Sequence, residues 1–154
     1  MHLLVVDDDS VTRMTFRTVL TSDGHTVTVA NDGEDALAKI LHMDIDMVIT
    51  DVRMPRLNGI RLRNAVRLLP DKAHLPFLFI SGYDDDGTIA AANDTAKEGF
   101  YKKGNQLVEL LGWIKYLTTP VGKRSPYPPD AHKSSAKHHH RYRQQSRQDN
   151  RPHA

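Results

Sequence analysis

Four short runs of large apolar and β-branched residues recur along the chain, at residues 3–6, 27–30, 47–50 and 77–80, and a shorter one follows at Phe100-Tyr101. Uninterrupted apolar runs of this length suit strands buried on both faces. Between them lie stretches with helical spacing. Val11, Met14, Phe16, Val19 and Leu20 form one apolar stripe, Ala36, Leu37, Ile40 and Leu41 a second, and Leu62, Ala65, Val66 and Leu69 a third. Residues 88–97 read as a weak, Ala-rich fourth helix, and Leu107, Val108, Leu110, Leu111, Ile114 and Leu117 as the strongest amphipathic helix. Ser10 is a suitable N-cap for the first helix, while Asp23-Gly24, Asn31-Asp32-Gly33, Asn58-Gly59 and Pro70-Asp71 supply the breaks. Strand and helix therefore alternate about every 20–25 residues. Such alternation builds a five-stranded parallel sheet with right-handed crossovers and helices on both faces, a (βα)5 doubly wound α/β fold.

In such a fold the chemistry gathers at the carboxyl ends of the strands. The first run ends in Asp7-Asp8-Asp9, the third in Asp51, the fourth in Ser81-Gly82, and the fifth is followed by Lys102-Lys103. Asp7, Asp8 and Asp51 would converge on neighbouring central strands, and three carboxylates at close range need a cation. Oxygen ligands without Cys or His favour Mg2+ over zinc. Ser81 can donate to a phosphoryl oxygen and Lys103 supplies positive charge. A carboxylate nucleophile, a divalent cation, a hydroxyl and a lysine together make a phosphoryl-transfer site with Asp51 as acceptor. Asp9 is read as a lead-in to the first helix and not as a ligand. A strand-end phosphatase would place a second Asp two residues after the nucleophile; that position is Arg53, which argues against it.

Over residues 1–118 the chain resembles the receiver domain of two-component response regulators. The resemblance rests on Leu-Val-Val-Asp-Asp-Asp at 4–9, Thr-Asp-Val-Arg-Met-Pro at 50–55 with Asn58-Gly59 after it, Ile-Ser-Gly at 80–82 and Phe-Tyr-Lys-Lys at 100–103. It implies a flavodoxin-like receiver fold in which Asp51 is phosphorylated by a sensor histidine kinase or phosphotransfer protein. It implies that Asp8 and Asp51 bind Mg2+ directly, that Asp7 does so through water, and that the Arg53 backbone carbonyl is a further ligand. Ser81 takes the place of the switch hydroxyl, Phe100 that of the switch aromatic, and Lys103 that of the phosphate-pairing lysine. The implied output surface is formed by the 88–97 helix, the Phe100-Tyr101 strand and the last helix, and it would engage a downstream protein. The chemistry expected is self-phosphorylation and self-dephosphorylation, not turnover of an external substrate, with no fused output domain. Arg53 and Tyr83 would flank the approach of water and slow hydrolysis of the phosphorylated chain. The chain departs from the family at Gly104, which stands where Lys-Pro is usual; the loop is then trans or relaxed by glycine, and Lys102 is the rival for the lysine's role. A phosphorylation-independent interaction module of the same fold is the alternative function.

The charge is divided along the chain. Residues 1–119 hold 13 Lys/Arg against 17 Asp/Glu, whereas residues 120–154 hold 8 against 2 and five of the nine His. Large aliphatics stop at Val121, and Pro120, Pro126, Pro128, Pro129 and Pro152 punctuate the remainder. Residues 119–154 are thus expected to be a disordered, basic, His-rich tail. Solvated chain with weak attraction to polyanions is the reading preferred over nucleic-acid binding by counterion release or metal binding by His138-His139-His140. Trp113 falls beside the core stripe of the last helix, where half-buried packing is preferred over a partner surface. With no Cys, no h-region and no apolar run near the roughly 20 residues of a membrane span, a cytoplasmic protein without a membrane partner is expected.

Overall fold

A computed structural model describes residues 1–82 and 96–129. Its elements run β1 (His2–Val6), α1 (Ser10–Ser22), β2 (Thr26–Ala30), α2 (Gly33–His42), β3 (Met47–Asp51), α3 (Gly59–Arg67), β4 (Phe77–Ser81), β5 (Glu98–Lys102) and α4 (Leu107–Thr118), followed by a 3-10 turn at Val121–Lys123. The five strands form one parallel sheet in the order β2-β1-β3-β4-β5. The order reverses between β1 and β3, which opens a crevice at their carboxyl ends. The flavodoxin-like receiver architecture expected from the sequence is the one observed. The helix expected at 88–97 lies outside the described residues except for Ala96 and Lys97, which form a turn.

Alternate residues of each strand face opposite sides, so the sheet carries two cores. Leu3, Val5, Met47, Ile49, Leu78, Ile80 and Tyr101 pack under α1 and α4. Leu4, Val6, Val48, Phe77 and Phe79 pack under α2 and α3. Every residue of β3 and β4 is buried, as expected of strands covered on both faces.

Three local features depart from the sequence reading. The N-cap of α1 is Asp9, not Ser10: its carboxylate accepts the Thr12 N–H at 3.2 Å and the Thr12 hydroxyl at 2.6 Å. Trp113 is fully inside the core, 5% exposed, because β5 offers it Gly99. A Cβ on Gly99 would lie 2.5 Å from the indole ring, so only glycine admits the tryptophan there. Its Nε1 is buried without a hydrogen-bond partner, which costs about 1–3 kcal/mol. Burying an indole, roughly 150–250 Å2, contributes about 4–6 kcal/mol at the usual area coefficient, and that outweighs the cost.

The third departure is at the end of the body. The compact unit reaches Arg124 and not 118. Composition hides this, because the order comes from one guanidinium. Arg124 donates to the carbonyls of Thr119 (2.7 Å), Ala96 (2.6 Å) and Leu117 (3.1 Å) and covers the Tyr116 ring at 5.0 Å. It thereby satisfies carbonyls that the end of α4 leaves open. Ser125–Ala154 form the second unit, whose described residues, 125–129, have no regular structure. The rest of the expected tail, with its His run, lies outside the described residues.

A buried ion network joins α3 to β5. Arg63 Nη1 donates to both oxygens of Glu98 at 2.8 Å, Arg67 adds a bond at 3.2 Å, and the Glu98 side chain is 1% exposed. Buried charge of this kind is tolerated only when paired and hydrogen-bonded. Next to Glu98 in β5, Gly99 provides a direct test of the packing. Gly99→Ala is expected to destabilise the fold by about 1–3 kcal/mol through overpacking, seen as a lower melting temperature by circular dichroism; an unchanged melting temperature would contradict the contact with Trp113.

Candidate functional site

The β1–β3 register places Val6 opposite Thr50, so the next residue on each strand is Asp7 and Asp51. One oxygen from each of Asp7, Asp8 and Asp51 lies within 4.8 Å of the others. Asp7 is fully buried, Asp51 is 7% exposed, and Asp8 opens to solvent. The local backbone fixes two of the carboxylates. Asp7 Oδ1 accepts the Asp9 N–H at 2.9 Å, and Asp51 Oδ1 accepts the Arg53 N–H at 3.2 Å. Thr50 donates its hydroxyl to the Asp51 carbonyl at 3.0 Å. The sequence reading missed Arg13, whose Nη1 donates to the Asp7 carbonyl at 2.6 Å from the first turn of α1. Its only trace in the sequence is a basic residue soon after an acidic triplet.

Lys103 stands between the two buried carboxylates. Its Nζ lies 3.1 Å from Asp51 Oδ2 and 3.2 Å from Asp7 Oδ2. It donates a hydrogen bond to Asp51, but Asp7 Oδ2, though close, receives no bond of proper direction and is left buried and unsatisfied. The lysine is held by its own backbone: Lys103 N–H donates to the Ser81 carbonyl at 2.8 Å, extending the β4–β5 pairing past Lys102. Gly104 completes the turn at φ +91°, with the Asn105 N–H on the Lys102 carbonyl at 3.1 Å. All described peptide bonds are trans. A glycine with positive φ thus takes the place of a proline turn, and of the two lysines it is Lys103 whose ammonium enters the acidic pocket, while Lys102 is exposed.

Ser81 ends β4, buried, one position beyond the level of Asp51. Phe100 is half-buried on β5 and stacks on Phe79, with ring centres 5.2 Å apart. Arg53 is exposed in the loop after β3, and Tyr83 lies outside the described residues. Asp9 is the helix cap; its hydrogen bonds from Thr12 hold its carboxyl below the usual range.

Among the described residues, the side-chain charges that meet in the pocket are three carboxylates and the Lys103 ammonium. Burial, the largest influence, raises the Asp7 pKa; the Asp9 amide opposes this, Asp51 adds repulsion and Lys103 attracts. Burial also works against the charge on Lys103, but the hydrogen bond and charge of Asp51, helped by Asp7, outweigh it and hold the ammonium above its ordinary value. One ammonium among three carboxylates, with a buried carboxylate oxygen unsatisfied, is a donor set that fits a hard divalent cation.

The acidic pocket thus lies at the carboxyl edge of a parallel β2-β1-β3-β4-β5 sheet. The sequence profile of the response regulator receiver domain matches residues 3–115, and the chain belongs to that family. It is 34% identical over 136 residues to the response regulator MprA of Mycobacterium leprae, covering 88% of this chain and 57% of that protein. It is 31% identical over 111 residues to a gliding motility regulatory protein of Myxococcus xanthus, covering 72% of this chain and 14% of that protein. The chain thus spans about half, or less, of the length of these relatives. The chemotaxis protein CheY4 of Vibrio cholerae has a similar structure, with a TM-score of 0.70 and 27% identity over 75% of this chain and 97% of that one. So does the response regulator TrrA of Thermotoga maritima, solved in complex with Mg2+ and BeF, with a TM-score of 0.65 and 26% identity over 75% of this chain and 97% of that one. Among the described residues no helix is long and apolar enough to cross a membrane.

The raised pKa of Asp7 has a consequence for stability. The folded state holds a proton on Asp7 more firmly than the unfolded chain does. That contribution favours folding below the ordinary carboxylate range and is lost as pH rises through the folded pKa. Above the ordinary carboxylate range, Asp7 therefore makes the metal-free chain less stable than a carboxyl of ordinary pKa would. Asp7→Asn is expected to raise the metal-free melting temperature at neutral pH and to remove the further rise produced by Mg2+; a lower metal-free melting temperature would contradict this account.

Proposed function

We propose that this chain is the phosphoacceptor of a two-component phosphorelay, with Asp51 as the residue that takes the phosphoryl group. The observation that carries the reading is the convergence of Asp7, Asp8 and Asp51 with Lys103 placed between the two buried carboxylates. The donor is a histidine kinase or phosphotransfer protein, as befits the family. An Asp51 carboxylate oxygen attacks the phosphorus of a phosphohistidine in line, the phosphorus–nitrogen bond breaks, and the imidazole leaves with the electron pair. Asp7, Asp8 and Asp51, with the Arg53 carbonyl, would hold Mg2+, which when bound neutralises charge on the transferring group.

The protein's own groups do the rest. The Arg53 N–H orients Asp51 through Oδ1. Lys103, hydrogen-bonded to Oδ2 before transfer, moves its charge to a phosphoryl oxygen afterwards. The Ser81 hydroxyl donates to another such oxygen. That rearrangement at the end of β4 is transmitted to Phe100, which stacks on Phe79 of the same strand, and so to a surface for a downstream protein that includes β5 and α4. The chemistry is confined to the chain's own carboxylate.

Acetyl phosphate with Mg2+ is expected to add one phosphoryl group, found by mass spectrometry on Asp51 and lost on acid or base treatment. Omission of Mg2+ or the change Asp51→Asn should abolish it. Equal labelling of Asp51→Asn would refute the assignment, and partner binding indifferent to Asp51 would favour the phosphorylation-independent module. Arg53, exposed beside Asp51, is expected to shield the acyl phosphate from water. Arg53→Ala should therefore shorten the lifetime of the phosphorylated chain once donor is removed, and a wild-type half-life of seconds would count against shielding.

A further inference from the structure

The loop from β3 to α3 carries the Arg53 carbonyl, and its Val52 and Met54 side chains are buried in the core. An open cavity of about 480 Å3 is lined by Val52, Arg53, Met54, Pro55, Asn58 and Ile60. At Leu57 the loop rests on the β2–α2 turn. A Cβ on Gly33 would fall 2.2 Å from the Leu57 carbonyl oxygen and 2.7 Å from the Leu57 Cβ. The Leu57 peptide therefore sits directly against the Gly33 Cα. Beside this contact, Arg56 Nη1 lies 3.6 Å from Asp32 Oδ2 and 4.0 Å from Glu34 Oε2. The other Asp32 oxygen caps α2 by accepting the Asp35 N–H at 2.8 Å.

Arg56 has φ +68° and is the only non-glycine residue with positive φ among the described residues. Such a backbone persists when its surroundings over-determine it. Here the loop is held at both ends of its second half. Gly59 lies against the Asp51 backbone, where a Cβ would come 2.3 Å from the Asp51 carbonyl oxygen, and its N–H donates to the Val52 carbonyl at 3.1 Å. Leu57 lies on Gly33.

We propose that Gly33, Asp32 and Arg56 form a positioning buttress that sets the height of this loop, and with it the Arg53 carbonyl, over the Mg2+ site. The proposal rests on the Mg2+ reading given above. Mg2+ demands near-ideal octahedral geometry at short distances and tolerates displaced ligands poorly. Any side chain at residue 33 must lift the Leu57 peptide. Arg53 precedes Leu57 by four residues, so the shift passes along the loop toward Arg53.

The test uses the full chain with Mn2+ as the probe, free ion being counted by electron paramagnetic resonance, and melting without metal in parallel. Gly33→Ala introduces the clash. Asp32→Asn keeps a good helix cap but removes the charge that holds Arg56. Ile114→Val, in the opposite core, controls for general loss of stability. Gly33→Ala is expected to weaken Mn2+ binding by about 10-fold, the scale of support around a metal site. Asp32→Asn should weaken it in the same direction by less, and Ile114→Val should leave it unchanged. Wild-type affinity in Gly33→Ala, with only the melting temperature lowered, would reduce the contact to packing and overturn the proposal. Should Gly33→Ala fail to fold, Asp32→Asn decides, and unchanged affinity there overturns it. A wild-type chain that binds no Mn2+ would instead remove the Mg2+ reading on which the buttress depends.

Discussion

The structure turns on carboxylates held together against their repulsion. Parallel pairing of β1 with β3 in a fixed register brings Asp7 and Asp51 side by side at the buried edge of the sheet. Slipping either strand by one residue would send its apolar residues to the wrong faces, so the two cores themselves enforce the encounter. Lys103 offsets part of the repulsion from across β4, carried there by the backbone bond to Ser81. The pocket is therefore a product of four strands of the sheet, β1, β3, β4 and β5, and not of any single motif.

Much of this is readable in the sequence because the chemistry sits at the ends of apolar runs. Where strands are covered on both faces, their sequences are nearly uninterrupted, and the first charged residue marks the edge. That is why Asp7 and Asp51 could be placed at strand ends without a structure, while Ser81 was placed by the Gly82 that follows its run. Lys103 required one more step, since Gly104 removes the proline that usually marks the turn; the positive φ of Gly104 supplies the bend instead.

What was not legible depends on residues distant in the chain or on a choice between equals. Asp9 and Ser10 are both good caps, and only the Thr12 bonds decide between them. Trp113 reads as marginal from the spacing of its own helix. Its burial is decided by Gly99 on a strand that sequence alone cannot place beneath it. The extension to Arg124 is invisible to any count of apolar residues, because it is made of carbonyls and one guanidinium. Gly33 looks like half of a turn, while its further use, as a flat place for the Leu57 carbonyl to rest, belongs to a loop more than twenty residues away.

The seat of Trp113 has an optical meaning. It is the only tryptophan in the chain, it is shut away from water, and its ring lies on the residue that precedes Phe100 in β5. The emission of the protein is then dominated by one chromophore pressed against the strand that bears Phe100. A change in how that strand lies against α4 alters the polarity and quenching around a single ring. The molecule thus carries a built-in spectroscopic probe of its own fifth strand, and its state can be followed without attaching a label.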